Sequence, residues 1–200
     1  MIRQVFLNDS LFFLVKFIIF VLVPSKLLVG QGVVTDVSRD GKGNISSIDY
    51  YSTVSKKLQL IKLETFHLNG HISTLESFYN GLKNGIYKEF YDNGHIKTGG
   101  QYSNGNKSGL WTEYFREGGT MKMFYASENG KDGSMDEWYR NGEKKIRGMY
   151  SKDKKHGQWS SWYSNGVKES LITYNKGKKV GIFSYYYNNG IKKSEGAVSY

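Results

Sequence analysis

The segment GIYKEFYDNG, residues 85–94, decides the fold, because variants of it return every 24 residues along the chain. Its leading glycine recurs as Gly109, Gly133, Gly157 and Gly181. A fixed period of about 20 to 50 residues is the signature of a repeat architecture. The spacing therefore predicts an array of similar units from residue 61 to residue 200.

Each unit is predicted to be a β-hairpin. With Gly85 and its equivalents as position 1, positions 9 and 10 are Asn-Gly in every unit except the third, which has Glu117-Gly118 followed by an extra Gly119. Asn-Gly between apolar runs is the strongest local signal for a two-residue type I′ turn. Strands are expected at about positions 2–8 and 11–19, with a second tight turn at Gly105 and Gly177. The predicted fold class is all-β, an elongated single-layer antiparallel β-meander of 24-residue hairpin repeats, preceded by an N-terminal hydrophobic signal helix.

Alternation along the first strand assigns its two faces. Positions 3 and 7 form a predicted core stripe of aromatic or Met residues: Tyr87, Tyr91, Trp111, Phe115, Met135, Tyr139, Trp159, Tyr163, Phe183 and Tyr187. A two-residue turn would pair position 3 with 16 and position 7 with 12. Tyr87, Met135 and Phe183 would then cover Gly100, Gly148 and Gly196, while Lys144, Lys168 and Lys192 would lie opposite Tyr139, Tyr163 and Tyr187.

Two further rows are candidate binding surfaces. The position-6 row lies on the other face. Its side chains are either buried by the curvature of the sheet or by a capping segment, or they form an exposed aromatic track. The row comprises Phe90, Tyr114, Trp138, Trp162 and Tyr186. The lysine row at position 23 is either a set of solvated turn residues or an electrostatic strip about 40 Å long; it comprises Lys83, Lys107, Lys131, Lys155 and Lys179.

The N-terminal part of the chain differs from the array. Residues 11–23 read LFFLVKFIIFVLV, which is short for a bilayer span of about 20 residues but typical of an export signal. We predict an export signal or membrane anchor at 1–32, an N-terminal cap and lead-in strand at 33–60, and the repeat array, about six hairpins, at 61–200. Localisation is expected to be exported, in the periplasm, at the cell surface or secreted; the alternative is anchoring by residues 11–23.

Composition excludes several chemistries. The sequence has no Cys, so it offers no disulfide, thiol nucleophile or thiolate metal site. Its four His residues show no metal-binding motif, and no phosphate-loop, GxSxG or dinucleotide motif occurs. The position-5 carboxylates of Glu89, Glu113 and Glu137 are expected to pair with lysines across strands. We therefore predict no enzyme activity, no catalytic residue, no metal site and no cofactor.

Each unit contains Gly, an aromatic residue, two further aromatics and then Asn-Gly, as in GQWSSWYSNG at 157–166 and GIFSYYYNNG at 181–190. This pattern resembles the MORN repeat family in its bacterial exported variant form. The resemblance covers residues 61–200. It implies a curved single-layer sheet that serves as a scaffold, with membrane or phospholipid association and protein contacts, and it brings no catalytic residue.

The net charge of +10 favours anionic partners, although most basic residues are Lys, which lacks the bidentate fork of Arg. We expect a non-enzymatic exported scaffold that binds a protein partner or an anionic envelope or lipid surface. Neither nucleic acid nor a small-molecule substrate is expected, and the sequence leaves the oligomeric state open. The alternative function is a carbohydrate- or choline-binding repeat module, because aromatic side chains can surround a quaternary ammonium.

Overall fold

The computed structural model describes residues 17–20, 32–54 and 57–198, which form one antiparallel sheet of fifteen strands. The strand order in the sheet is the order in the chain, so the predicted all-β meander is confirmed. The strands are β1 Phe17–Phe20, β2 Val33–Arg39, β3 Ile45–Val54, β4 Lys57–Phe66, β5 Ile72–Tyr79, β6 Leu82–Phe90, β7 Ile96–Ser103, β8 Asn106–Tyr114, β9 Thr120–Ser127, β10 Gly130–Trp138, β11 Lys144–Ser151, β12 Lys154–Trp162, β13 Lys168–Asn175, β14 Lys178–Tyr186 and β15 Lys192–Val198.

The predicted N-terminal helix is not confirmed. Residues 1–16 and 21–31 lie outside the described residues, and residues 17–20 pair with residues 34–37 as strand β1. Within the described ranges no helix is long and apolar enough to cross a membrane. The export signal or anchor at 1–32 therefore stays a prediction.

The hairpin loops differ from the predicted type I′ turn. In the loop after β6, the Tyr91 amide donates to the His95 carbonyl at 2.8 Å, and the Gly94 amide donates to the Tyr91 carbonyl at 2.9 Å. Three residues therefore form the loop, and among them only Gly94 has a positive φ, of +84°. This geometry is a type I turn followed by a left-handed glycine, so the two-residue prediction is wrong.

The third unit adopts the same loop despite its different sequence. The Phe115 amide donates to the Gly119 carbonyl at 3.0 Å, and the Gly118 amide donates to the Phe115 carbonyl at 3.0 Å. Glu117 fits because its position does not require a positive φ. Gly119 thus occupies the position of His95 after the loop and is not an insertion, although it differs from His95 in having a positive φ, of +81°.

Type I′ geometry occurs instead at the other edge of the sheet, where one hairpin connects to the next. Asn80 and Gly81 have φ values of +49° and +77°, and Asn104 and Gly105 have +47° and +84°. We call this side of the sheet the turn edge and the side with the three-residue loops the loop edge. The tight turn expected at Gly105 is therefore present.

The strand register is partly as predicted. Tyr87 at position 3 pairs with Gly100 at position 16, as expected. A bulge beside Phe90 then shifts the register by one residue, so that Phe90 at position 6 pairs with Ile96 at position 12. The predicted pairing of position 7 with 12 is wrong, because the loop has one more residue than expected. Lys144, Lys168 and Lys192 accordingly lie opposite Trp138, Trp162 and Tyr186.

The 24-residue glycine lies inside a strand, at an irregularity in the pairing. Gln101 on β7 pairs with Ser108 on β8, and Gly99 pairs with Thr112. Between these two pairs β7 has one residue, whereas β8 has three, of which Gly109 is the first. Gly109 has a φ of +69°, and a Cβ added there would meet no atom within 4 Å. At Gly109, glycine is therefore required for its backbone conformation and not for space.

This irregularity brings the position-3 ring of one hairpin against the preceding hairpin. A Cβ added to Gly100 would lie 2.4 Å from Trp111, and one added to Gly148 would lie 2.2 Å from Trp159. The prediction that Tyr87 and Met135 cover these glycines is therefore wrong, because the covering ring comes from the next hairpin. Gly196 is covered by Phe183, as predicted, with the nearest ring atom at 2.5 Å.

The core lies on the face that carries position 3, which we call the ring face. Its buried cluster consists of Trp111, Phe124, Ala126, Met135 and Trp159. Trp111, at 1% exposure, is the most deeply buried of them. The position-7 half of the predicted stripe is only half-buried, and Tyr187 is 48% exposed, because these residues lie next to the loop edge.

The segment before the array folds as a further hairpin. The Asp40 amide donates to the Asn44 carbonyl, the Gly43 amide donates to the Asp40 carbonyl, and Gly43 has a φ of +86°. The pair Arg39–Ile45 with its adjacent bulge corresponds to Phe90–Ile96. The segment predicted as a cap thus repeats the hairpin geometry without the 24-residue sequence pattern.

Candidate functional site

The lysine row lies on the ring face, one residue inside the turn edge. Each ammonium is placed over one or two aromatic rings of the core side of the sheet. Its distances to ring centroids are 5.4 Å for Lys83–Tyr87, 4.0 Å for Lys107–Trp111, 5.0 Å for Lys131–Tyr150, 4.3 Å for Lys155–Trp159 and 5.6 Å for Lys179–Tyr185. The lysine stems therefore cover the aromatic cluster from solvent, and the ammonium groups gain cation–π attraction.

The members of the lysine row differ in their other partners. Lys83 forms an ion pair with Glu76 at 3.0 Å, and Lys179 donates to the Tyr185 hydroxyl at 2.9 Å. Burial lowers the pKa of Lys107 and of Lys155 from the ordinary value for lysine, and the neighbouring charges of Lys131 and Lys179 act in the same direction. In the described part of the chain, the central lysines of the row have no carboxylate within ion-pair distance.

The position-6 row lies on the opposite sheet face, which we call the outer face. All five residues of the row are half-buried, and each packs beside its cross-strand partner at position 12. Other apolar residues of this face are more exposed: Ile86 at 50%, Leu110 at 40%, Tyr125 at 45%, Met149 at 48% and Ile182 at 65%. The outer face is thus a mixed surface of half-buried rings and exposed apolar side chains.

A shallow depression of about 440 Å³ lies on the outer face between β6 and β8. Gly99 is one of its lining residues, and a Cβ there would have only ordinary contacts; Ile86, Leu110 and Tyr114 are among the side chains of the lining. Lys88 is the charged residue of its lining. The depression exists because Gly99 carries no side chain on the outer face, whereas the ring of Trp111 covers Gly100 on the ring face.

The position-5 glutamates lie beside lysines of the neighbouring strands. Glu89 pairs with Lys97 and Glu137 with Lys145, each at 2.7 Å, as the predicted cross-strand role requires. Glu113 is the register partner of Lys122. In the described ranges no group of His, Asp and Glu residues is arranged to hold a metal ion.

On the outer face, Asp136 forms ion pairs with Arg147 at 2.7 Å and Lys144 at 3.3 Å. Burial acts to raise the pKa of Asp136, but the hydrogen bond from Arg147 and the charges of both cations outweigh it, so the pKa lies below its usual value. Asp136 is therefore held as the carboxylate within a charged cluster.

Sequence reasoning missed a ladder of asparagines along the loop edge. The Asn141 side chain accepts from the Glu143 amide at 3.1 Å and donates to the Ser164 carbonyl of the next hairpin at 2.7 Å. Asn69, Asn93 and Asn165 make the equivalent pair of contacts. The 24-residue spacing of these asparagines was a sufficient signal, but it was assigned to turn conformation alone.

A second set of contacts along this edge comes from position 7. The Tyr139 hydroxyl donates to the Trp162 carbonyl at 2.9 Å, and Tyr91 and Tyr163 make the same contact with the next hairpin. Together with the asparagines, these bonds attach the loops that follow β6, β10 and β12 to the next loop, whereas the loop that follows β8 has Phe115 and Glu117 at these positions. The recurring Tyr and Asn residues of the motif are therefore structural at this edge.

Two stretches of the chain, residues 83–105 and 155–176, match the MORN repeat variant family. No curated protein matches the chain in sequence. Among solved structures, a porin-like protein from Bacteroides uniformis is similar with 10% identity and a TM-score of 0.21, over 82% of this chain and 83% of that protein. At that TM-score the likeness is too weak to bear on function.

Proposed function

We propose that this chain is a non-enzymatic repeat scaffold that binds a protein partner through the outer face of its sheet. The observation that carries the proposal is the set of exposed apolar side chains on that face, from Ile86 to Ile182. Leu110 and Tyr125 are register partners on adjacent strands, and exposed apolar side chains that adjoin one another usually mark an interaction site. The match of two stretches to a repeat family supports the scaffold role.

The lysine row provides a second contact surface in this proposal, for an anionic envelope or lipid surface. Lys107, Lys131 and Lys155 follow one another at intervals of one hairpin, which is roughly 10 Å. Their charges lie above aromatic rings, where contact with water is reduced on one side. Attraction of this kind acts over about one Debye length and weakens with salt.

The alternative, a carbohydrate- or choline-type binding module, has less support from the geometry. Such a module needs rings that are free to surround the cation of a ligand. The rings of Trp111 and Trp159 already hold the ammonium groups of Lys107 and Lys155. The ring face thus provides its own cation where a choline headgroup would have to bind.

Non-enzymatic function and export are part of the same proposal. The ion pairs of Glu89 and Glu137 support a structural role for these carboxylates. Export is proposed from the apolar segment at 11–23. Cell fractionation and N-terminal sequencing of the expressed full chain test it, and an unprocessed chain found in the cytosol would contradict it.

The outer face is tested by replacing Trp138 and Trp162 with Ala in the full chain. Because both rings are half-buried, a modest loss of stability is expected, whereas retention of envelope proteins by the immobilised chain should be lost. Phe115→Ala is the matched control, since it removes a half-buried ring of the ring face. Equal retention by wild type and the double variant would refute the outer face as the binding surface.

The lysine row is tested with vesicles. Replacing Lys107, Lys131 and Lys155 together by Gln should reduce binding to anionic vesicles, and added salt should have the same effect on the wild type. Binding that is insensitive to both changes would remove the anionic surface from the proposed function.

A further inference from the structure

Positive charge is concentrated in two adjacent turns of the turn edge. The turns at residues 152–155 and 176–179 carry Lys152, Lys154, Lys155, Lys176, Lys178 and Lys179, which we call the basic turn cluster. The equivalent turn at 80–83 carries only Lys83, which is paired with Glu76, and the turn at 104–107 carries only Lys107. The charge is therefore uneven along an otherwise repeating edge.

The two turns are in direct contact. The Gly177 amide donates to the Lys155 carbonyl at 2.8 Å, and a Cβ on Gly177 would lie 3.8 Å from the Cβ of Lys154. All members of the cluster except Lys155 are exposed. The nearby carboxylate, Asp153, accepts from the Lys131 amide at 3.3 Å, and none of the six lysines lies within ion-pair distance of a carboxylate among the described residues.

The backbone of these turns shows that their lysines occupy unfavourable positions. Lys152 and Lys176 have φ values of +49° and +50°, in the left-handed region, which costs free energy for a residue with a long side chain. The corresponding residues of the first turns are Asn80 and Asn104, which tolerate that region better. Among the described residues, neither lysine side chain forms an ion pair, a hydrogen bond or a cation–π contact that would offset this cost, so the strain points to a role outside the fold.

The chemistry of the cluster indicates its ligand. Six ammonium groups within two adjacent turns exceed what a single phosphate can engage, and lysine acts as a point charge without the geometric selectivity of arginine. The charge is confined to one short stretch of a thin sheet edge, which suits a thread-like polyanion better than the plane of a membrane, since a plane would also meet the weakly charged turns at 80–83 and 104–107.

We propose that the basic turn cluster binds a linear phosphate polymer. This inference deepens the proposed scaffold function and rests on it, because the polymer would be held at one edge while the outer face stays free for a protein. The binding is electrostatic, between the lysine ammonium groups and successive phosphates of the polymer.

The test uses the full chain and long-chain inorganic polyphosphate, with binding measured by titration calorimetry over a salt series. The variant combines Lys152→Asn, Lys154→Gln, Lys176→Asn and Lys178→Gln, and it keeps Lys155 and Lys179 over their rings. Asn at the two strained positions suits the left-handed backbone, so the variant should fold at least as well as wild type. A control variant with the same charge change replaces Lys42, Lys57, Lys88 and Lys168 by Gln.

If wild type engages roughly four phosphates, its Kd for polyphosphate should rise about 50-fold between about 50 and 200 mM salt. The Kd of the cluster variant should rise by less than about 10-fold over the same range. At low salt the cluster variant should bind at least about tenfold more weakly than the control variant. Equal weakening of the two variants would show that only net charge matters and would overturn the proposal.

Two further measurements separate this inference from its premise. The Trp138→Ala, Trp162→Ala double variant should bind polyphosphate with the Kd of wild type. A variant that has lost its protein partner would then still bind the polymer. Vesicles rich in phosphatidylglycerol provide the competing source of phosphate. Binding to vesicles that requires the cluster, together with no binding of polyphosphate, would identify a membrane as the ligand and refute the polymer.

Discussion

The adjacent glycines of β7 offer a sharp test of how the hairpins pack. Gly99 and Gly100 have backbone conformations open to any residue, but their side-chain positions point to opposite faces of the sheet. A Cβ on Gly99 would meet its nearest atom at 3.8 Å, whereas a Cβ on Gly100 would lie 2.4 Å from the Trp111 ring. Substitution by Ala therefore changes the same chemistry in two different environments.

The Trp111 ring has little room to retreat from a new methyl group. It is 1% exposed, and the rings of Tyr87 and Tyr102 pack against it at centroid distances of 5.5 and 5.2 Å. Its indole N–H donates to the Gln101 carbonyl at 3.2 Å, a bond that a displaced ring would lose.

These contacts set the expected magnitudes. Ala is better than Gly in a strand by roughly 0.5–1 kcal/mol, so Gly99→Ala should leave stability unchanged or slightly raised. Gly100→Ala should gain the same stabilisation from replacing Gly in a strand, but overpacking against Trp111 costs about 1–3 kcal/mol and the lost indole hydrogen bond costs about 1 kcal/mol. We expect Gly100→Ala to be less stable than Gly99→Ala by about 2 kcal/mol or more.

Urea unfolding of the full chain, followed by far-UV circular dichroism and tryptophan fluorescence, measures the difference. The double variant Gly100→Ala, Trp111→Met should lose less stability than the sum of the two single variants, because the equivalent positions of another hairpin pair carry Phe124 and Met135. Equal unfolding midpoints for the two single variants would refute the packing of Trp111 on Gly100. Additive effects in the double variant would show that the two positions are not coupled.

Three further predictions concern the loop edge and the titration of the core. Phe115→Tyr should raise stability by about 0.5–1 kcal/mol, because its hydroxyl would donate to the Trp138 carbonyl as Tyr139 does to its own partner; unchanged thermal unfolding would contradict this. Asn141→Ala should lower stability by about 1–2 kcal/mol, since it removes two hydrogen bonds, and Asn141→Asp should lose less because the acceptor remains; urea midpoints compare them. Burial raises the pKa of Tyr87 to about 12, followed by the charges of Glu89 and Glu76, so its share of stability is present below pH 10 and lost as the pH rises towards 12; Tyr87→Phe should reduce the alkaline loss in pH-dependent unfolding, and an identical profile would refute it.

Much of the architecture could be predicted from the sequence, because the 24-residue period aligns equivalent residues of successive hairpins. Alternation of aromatic residues after Gly85 placed position 3 on the core face, and the charge pattern placed Glu89 and Glu137 beside lysines. The loop was mispredicted because Asn-Gly suits both a type I′ turn and the end of a type I turn, and local sequence does not distinguish them. Only the hydrogen bond between Tyr91 and His95 does so.

The binding surfaces could be predicted as rows but not in their environments. A lysine at position 23 is visible in the sequence, yet its placement over Trp111 or Trp159 depends on the irregularity at the repeat glycine. The same irregularity decides that Trp111 covers Gly100, eleven residues earlier in the chain. Such contacts join neighbouring hairpins, so the pattern within one unit contains no information about them.

By itself, the sequence determined the period, the all-β meander and the face on which the rings lie, because these follow from side-chain alternation along a strand. The tertiary structure decided which ring covers which glycine, how the lysines cap those rings and how asparagines connect the loops. The physical reason is that the repeat glycine adopts a positive φ within a strand and offsets each hairpin against the one before it. Contacts between units therefore depend on a backbone irregularity. The sequence period gives the position of this irregularity in the chain but not its geometry.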